Sequence, residues 1–206
     1  ESVYLDLFDI DWLQDRQIGL HSLNIATNLP YEYPFQIKPP FLEDVKHLHL
    51  QGNAFGFLKG AWDAMSVCNM NLKSLLLSGE QVRYLRDRDL DGLLSKCSSI
   101  QELELKGLGD GISDDLFIDF SQDLDETSLK KLSLQFCEQG TDIRAGLNPI
   151  SFMCLAPRCS ALVHLELRNT FLLTDECLLM FSMHCNTLES LVLQSCLALT
   201  GAGVRI

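Results

Sequence analysis

Two histidines, His47 and His49, stand two residues apart in a stretch that reads as a β-strand, so their side chains point to the same face. Imidazole nitrogens bind zinc, and two histidines from one strand would supply half of a tetrahedral site. His164 follows several strands later, and no cysteine that we expect to face outward lies near the pair. We therefore interpret the pair as exposed residues available to a protein partner, and we predict no metal site.

A catalytic nucleophile would need a cysteine or serine held beside a general base. His184 directly precedes Cys185, but adjacent residues of a helix face different directions. The sequence also has no glycine-rich phosphate loop and no pair of carboxylates set apart from the general charge. We predict no catalytic residue and no cofactor, and we expect a protein that is not an enzyme.

The spacing of the leucines indicates which elements would position these side chains. The pattern L-x-x-L-x-L, with Val or Ile sometimes in the first place, recurs at intervals of 25 to 33 residues. It opens at Leu20, Val45, Leu72, Ile100, Leu129, Leu162 and Leu188. A short strand followed by an outer segment at this period is typical of a leucine-rich repeat. The predicted fold is an α/β leucine-rich-repeat solenoid, a horseshoe with a parallel concave β-sheet and outer helices.

The predicted array has about seven full repeats and a partial one at each end, and residues 1–206 form a single array. The first partial repeat is the alternating stretch Val3 to Leu7. Because the chain starts without Met and stops inside an expected helix, we interpret it as a fragment of a longer chain. No apolar run is long enough for a membrane helix, and we predict no contact with a membrane.

Residues between the leucines alternate away from the core, and they form three outward columns across the sheet. The first column is Tyr4, Ser22, His47, Ser74, Glu102, Lys131, His164 and Ser190. The second column is Asp6, Asn24, His49, Leu76, Glu104, Ser133, Glu166 and Val192. The third column is Phe8, Ala26, Gln51, Ser78, Lys106, Gln135, Arg168 and Gln194. This mixture of both charges favours a protein or peptide ligand on the concave face.

Outer helices are predicted over Phe57–Cys68, Arg83–Cys97 and Ile112–Leu124 from their apolar periodicity. Ser113 and Thr174 each precede acidic residues and an apolar run, which indicates helix caps. The third position after the last leucine of a repeat commonly holds Asn or Cys, but here Glu80 and Leu108 occupy it in two middle units. We expect irregular turns at those two units.

Two stretches depart from the rhythm of the repeat. Tyr31 to Phe41 is rich in proline and aromatic residues, so we expect an extended segment, either packed on the outer layer or serving as a docking loop. Glu138 to Pro149 lengthens its unit and is expected to form a loop near one rim of the sheet.

Charge and cysteine placement narrow the classes of partner and compartment. With 28 acidic against 16 basic residues the net charge is −12, which disfavours nucleic acid because its phosphates bind lysine and arginine. Cys97, Cys159 and Cys185 each stand three residues before a repeat begins, and Cys137 and Cys196 each stand three residues after its last leucine. Such placement fits small buried residues better than disulfide pairs, and it favours the cytoplasm or the nucleus.

The C-terminal units carry a more specific pattern. It runs through Leu165-Glu-Leu167, Leu173-Thr174-Asp175, Cys185-Asn-Thr-Leu188 and Leu193-Gln-Ser-Cys196. This pattern resembles the cysteine-containing leucine-rich repeat of F-box leucine-rich-repeat proteins, closely over residues 94–206 and loosely before. The resemblance implies a substrate-recognition arm of a cullin–RING ubiquitin ligase, whose adaptor binds an F-box upstream.

Two functions follow as hypotheses. The first is a protein-interaction module that recognises substrates of an SCF-type (cullin–RING) ubiquitin ligase, with an adaptor bound through an upstream segment. The second is a scaffold or regulatory subunit that uses the convex side or a rim loop. For the first, the predicted protein-binding residues are His47, His49, Glu102, Glu104, Lys106, Lys131, His164, Glu166 and Arg168.

Overall fold

A computed structural model describes residues 3–4, 20–27, 44–52, 71–137 and 147–200. Within these residues, eight strands form one parallel sheet in which the spatial order equals the chain order. The strands are β1 (Val3–Tyr4), β2 (Ser22–Thr27), β3 (His47–Gly52), β4 (Ser74–Ser78), β5 (Glu102–Leu108), β6 (Lys131–Phe136), β7 (His164–Arg168) and β8 (Ser190–Gln194). Each strand pairs only with its sequence neighbours, as expected when every unit stacks on the one before it. The predicted α/β leucine-rich-repeat solenoid is confirmed.

Leucines align across the sheet in two continuous rows. Leu48, Leu75 and Leu103 pair in succession, and the second leucines of the same strands do likewise. In each strand from β3 to β7, the two leucines that belong to these rows are at most 1% exposed. Because side chains alternate along a strand, this register also aligns the residues between the leucines. The three predicted columns are therefore confirmed from β2 to β8.

The predicted position of Tyr4 is wrong. Tyr4 pairs with Asn24 and Val3 with Leu23, so Tyr4 occupies the second column and not the first beside Ser22. Apolar residues at positions 3, 5 and 7 fit the same sheet face in two registers that differ by two residues. The alternation alone therefore could not select the register of this strand.

The outer layer contains four α-helices, in the described part of the chain. They are α1 (Asp87–Leu94), α2 (Asp114–Asp123), α3 (Pro149–Leu155) and α4 (Asp175–His184). Two 3-10 helices, Glu80–Tyr84 and Ala156–Arg158, accompany them. None of the described helices is long and apolar enough to cross a membrane. The predicted helix Phe57–Cys68 and the stretch Tyr31–Phe41 lie outside the described residues.

Two predicted boundaries change in the structure. The continuous helix predicted over Arg83–Cys97 is wrong, because Leu85 and Arg86 are extended and separate a 3-10 turn from α1. Residues 138–146 of the predicted rim loop lie outside the described residues, and its predicted last residue, Pro149, is the first residue of α3. Proline suits that position because its missing N–H has no partner in the first turn of a helix.

Irregular turns occur at the two units where they were predicted. At the first, a 3-10 helix begins at Glu80 directly after β4. At the second, the register of β5 and β6 shifts between Lys106 and Leu108. Cys137 and Cys196, which occupy the regular position, donate their thiols to the carbonyls of Gly107 and Leu167 in the preceding units. The units of Glu80 and Leu108 both lack the small Asn or Cys side chain that commonly occupies this position, and the chain leaves each of these strands by a different path.

A left-handed residue ends most strands, which the leucine pattern did not predict. Gly52, Gly79, Gly107, Asn169 and Ser195 each stand two residues after the last leucine and have φ between 55° and 124°. At Gly79 a Cβ would also lie 2.7 Å from the backbone of the equivalent Gly52. The chain therefore turns away from the sheet at a position that needs glycine or a residue tolerant of this conformation.

Cysteines and aromatic side chains fill the space between the leucine rows and the helices. Phe117, Phe152 and Phe181 are at most 1% exposed. Cys97, Cys159 and Cys185 are buried free thiols, as predicted, whereas Cys137 and Cys196 are only partly buried. Burial raises the pKa of Cys97 and of Cys185 to about 11, and it raises the pKa of Cys159 further. These thiols act as small apolar residues of the core.

Ser113 and Thr174 cap α2 and α4 at the predicted positions. The hydroxyl of Ser113 accepts a hydrogen bond from the backbone N–H of Asp115 at 3.2 Å. Thr174 has the backbone conformation of a cap, but its hydroxyl donates to the Glu176 carboxylate at 3.4 Å. The first cap is therefore confirmed in full, and the second in position only.

Asn169 allows a direct test of the turn that ends β7. Its side-chain amide donates to the buried carbonyl of Phe136 at 2.8 Å, and its φ is 56°. Replacing it with glycine keeps the backbone but leaves that carbonyl unpaired, at a cost of about 1–3 kcal/mol in the free energy of unfolding. Replacing it with alanine should cost about 1 kcal/mol more, because alanine resists a positive φ.

Urea unfolding of both variants checks this expectation. Ser195→Gly is the matched control, because Ser195 has the same conformation one unit later but an exposed side chain. Its stability should stay within about 0.5 kcal/mol of the parent. Equal stabilities for Asn169→Gly and Ser195→Gly would show that the Asn169 amide contributes nothing.

Candidate protein-binding surface

The outward columns of the sheet form one continuous surface, which we call the polar sheet face. It comprises the residues between and beside the leucines on β2 to β8. The residues of the three columns pair without a break in all six strand pairs from β2 to β8, for example His47 with Ser74 and Ser74 with Glu102. Neighbouring strands lie about 4.8 Å apart, which is within reach of charged side chains. Side chains on this face can therefore contact one another both within a strand and between successive repeats.

Glu104 stands at the centre of a charge cluster. Its carboxylate lies 2.7 Å from Nζ of Lys106 and 2.5 Å from Nζ of Lys131. Burial alone would raise the pKa of Glu104, but hydrogen bonds and charge from the two lysines outweigh burial and lower it. A buried carboxylate that stays ionised thus holds two ammonium groups in place.

Glu166 repeats this arrangement two strands away. Its carboxylate accepts from Nε of Arg168 at 2.5 Å and from the buried hydroxyl of Ser133 at 2.7 Å. The Arg168 guanidinium also donates to the side-chain carbonyl of Gln194. Burial would raise the pKa of Glu166, but the Ser133 and Arg168 hydrogen bonds and nearby cations outweigh it and lower the pKa. Both clusters therefore contain a largely buried carboxylate that orients more exposed cationic groups.

A third set of contacts links His49, Ser74 and Glu102. Nε2 of His49 lies 3.1 Å from the Ser74 hydroxyl, which donates to the Glu102 carboxylate at 3.0 Å. Burial lowers the pKa of His49, and the neighbouring His47 lowers it further. The serine lies between the histidine and the carboxylate, whereas a nucleophilic triad needs the histidine in the middle. These contacts orient His49; they do not activate Ser74.

The structure separates the remaining histidines. Four strand steps lie between His47 and His164, which is roughly 19 Å at the usual strand spacing. Among the described residues, no three side chains of His, Cys, Asp or Glu come together in a way that could hold a metal ion. His47 is exposed and His164 is partly exposed, so both remain accessible on the polar sheet face.

A cleft of about 490 Å³, which the sequence did not indicate, opens where β4, β5 and β6 end. Its lining includes the left-handed Gly79 and Gly107 and the charged residues Glu80, Arg83 and Lys106. Lys106 also belongs to the Glu104 cluster, so the cleft adjoins the polar sheet face. The recurring glycine two residues after the last leucine was the one signal that could have located this edge.

No protein-family model and no curated protein match the chain. Among the similar solved structures is a chain from the crystal structure of the Rad7 and Elc1 complex in yeast, with 14% sequence identity and a TM-score of 0.49. The similarity covers 97% of this chain and 62% of that chain. The present chain therefore spans less than two thirds of the length of that relative.

The charge of Glu104 gives a pH-dependent prediction. Since the folded protein lowers the pKa of Glu104, its ionisation stabilises the fold above the ordinary value of 4.5 and this contribution is lost as pH falls through the lower folded value. Glu104→Gln leaves Lys106 and Lys131 without their shared anion. The loss in the free energy of unfolding caused by Glu104→Gln should be largest at neutral pH and should decrease in acid.

Chemical unfolding of parent and variant across this pH range measures the difference. Glu102→Gln is the matched control, because Glu102 lies on the same strand and is exposed. That control should change stability little at any pH. A destabilisation by Glu104→Gln that stays constant from neutral pH into acid would contradict the assignment of Glu104 as a charged anchor.

Proposed function

We propose that the polar sheet face recognises a partner protein. The observation that carries this proposal is the pre-organisation of its cations. Lys106, Lys131 and Arg168 each keep about a third of their side-chain surface exposed, at 35%, 36% and 35%. Each is held by a carboxylate that is itself largely buried. Groups fixed in advance lose little conformational freedom on binding, which favours affinity and specificity.

A partner would meet alternating charge on this face. The cations of the Glu104 and Glu166 clusters retain donors for partner carboxylates, and exposed Glu102 offers an acceptor to a partner cation. Exposed His47 and partly exposed His164 add hydrogen-bonding groups on the same face. The adjoining cleft provides depth for one partner side chain. The proposed binding residues are His47, His49, Glu102, Glu104, Lys106, Lys131, His164, Glu166 and Arg168.

The finer proposal is a substrate receptor of a cullin–RING ubiquitin ligase in the cytoplasm or nucleus. Support comes from the repeat pattern itself, in which Thr174-Asp175 begins a helix, Cys185 ends it and Cys196 follows the next strand. This pattern resembles the repeat arm of F-box leucine-rich-repeat proteins. In this proposal the polar sheet face binds the substrate, and an upstream segment of the whole protein binds the adaptor.

Charge reversals on the polar sheet face test the binding surface. Lys131→Glu and Arg168→Glu should each reduce recovery of the cellular partner at least about fivefold, because each replaces an oriented donor with a repulsive charge. Partners are quantified by mass spectrometry after affinity purification of the full-length protein. Arg158→Glu makes the same charge change beside α3 and should leave recovery unchanged.

The ligase role is measured in the same purification. Adaptor and cullin should co-purify with the full-length parent and also with both sheet-face variants, because the adaptor contacts a different segment. Absence of adaptor and cullin from the parent sample would reject the ligase role and leave the binding module standing. Undiminished partner recovery by both variants would reject the polar sheet face.

A further inference from the structure

The helical side of the solenoid exposes large apolar side chains on two neighbouring helices. Ile150 and Met153 on α3 are 54% and 43% exposed, and Leu179 and Met183 on α4 are 42% and 61% exposed. Since α3 packs directly against α4, these four side chains form one surface, which we call the outer apolar patch. Clustered exposed apolar side chains mark interaction sites, whereas isolated ones are ordinary.

The outer apolar patch follows the order of the repeat. Met153 and Leu179 are each the fifth residue of their helix, and partly exposed Ile118 is the fifth residue of α2. Equivalent positions in stacked units lie side by side. An apolar row therefore crosses three helices on the side opposite the sheet.

Exposed carboxylates border this row. Asp115, Asp119 and Asp123 recur every four residues along α2, which packs against α3. Glu176 adds an exposed carboxylate in the first turn of α4. Within the described ranges, no lysine, arginine or histidine forms an ion pair with any of these four residues. We call them the acidic border.

Basic residues are scarce on the described helices that carry the outer apolar patch and the acidic border. Helices α2, α3 and α4 contain neither Lys nor Arg. Arg158, which follows α3, lies 2.8 Å from the Glu126 carboxylate and is thereby neutralised. This differs from the polar sheet face, where each buried carboxylate has its own cation. The charge of the acidic border is left for a partner to balance.

We propose that the outer apolar patch and the acidic border bind a basic amphipathic helix of a partner protein. The apolar side of such a helix covers the patch, while its flanking Lys and Arg pair with the carboxylates. The flexible side chains of Met153 and Met183 can adapt to the shape of the bound helix. An anionic membrane would be repelled by the acidic border, which favours a protein helix over a lipid surface.

The surface is separate from the polar sheet face and goes beyond the function proposed for it. A chain with both surfaces can hold two proteins at once, one on each side of the same stack of repeats. The test below leaves the polar sheet face intact, so failure of one proposal is distinguishable from failure of the other.

The probe is a synthetic amphipathic peptide of roughly 18 residues, with leucine on one helical face and lysine on the others. The control peptide has the same composition in scrambled order. Titration into the 206-residue chain, followed by fluorescence anisotropy, should show binding of the first peptide at least about tenfold tighter than the second, since only the first forms an apolar face.

Two sets of substitutions assign that binding to the surface. Met153→Gln with Leu179→Gln should weaken binding of the amphipathic peptide at least about fivefold, because both remove apolar contact. Asp119→Asn with Asp123→Asn should weaken it and reduce its dependence on salt, because exposed charges are screened by ions. Leu197→Gln is the matched control and should leave peptide affinity unchanged, because Leu197 is an exposed apolar side chain outside the outer apolar patch.

Several results would overturn this proposal. Equal affinity for the scrambled peptide would show that binding depends on charge alone. Unchanged affinity of the Met153 and Leu179 variant would exclude the outer apolar patch as the binding site. Self-association of the parent that this variant abolishes in sedimentation would assign the patch to a second copy of the chain. Binding to phosphatidylserine vesicles that the same variant abolishes would assign it to a membrane.

Discussion

The whole fold depends on the stacking of buried leucines in register. Leu75 pairs with Leu103 and Leu77 with Leu105, and the same two rows continue through the neighbouring strands. A slip of one residue would turn every leucine outward and bury the charged residues between them, at a prohibitive cost in desolvation. The leucine rows therefore determine which side chains lie on the polar sheet face. Glu104 can meet Lys131 because Leu103 and Leu105 already match Leu132 and Leu134.

Hydrogen bonds at the first residues of the helices join successive units on the helical side of the core. The carboxylate of Asp114, in the first turn of α2, accepts hydrogen bonds from the backbone N–H of Asn148 at 2.8 Å and from the Ser151 hydroxyl at 2.5 Å. Asp87 binds Ser113 in the same way one unit earlier. At α3 the equivalent residue is Pro149, which has no carboxylate to offer the next helix. Each of these hydrogen bonds joins one unit only to the next. Stability therefore accumulates from contacts between neighbouring units, and an irregular unit weakens only the contacts with its own neighbours.

Much of this architecture could be predicted from the sequence, because leucine spacing constrains the strands strongly. The columns from β2 to β8 and the irregular turns at Glu80 and Leu108 follow from that spacing. The split between the 3-10 helix and α1 could not be predicted, since the spacing of the buried residues Val82, Leu85, Leu90 and Leu93 also fits one continuous helix. The sequence could not predict which cations pair with Glu104 and Glu166, because this depends on side-chain positions. The exposure of Met153 and Leu179 could not be predicted for the same reason.

The two sides of the solenoid satisfy their charges differently, and this difference bears on function. On the polar sheet face, opposite charges of one strand and of successive repeats lie within reach of each other, so anions and cations pair internally and stay fixed. On the helical side, α2 and α4 carry carboxylates beside apolar residues, and the described helices α2 to α4 supply no Lys or Arg. A surface whose charges already pair with one another is stable in contact with water. It discriminates among partners by the fixed positions of its charged groups. An unpaired acidic surface around exposed apolar side chains gains stability when a basic apolar partner covers it. The same stack of leucines therefore presents two surfaces with different chemical requirements.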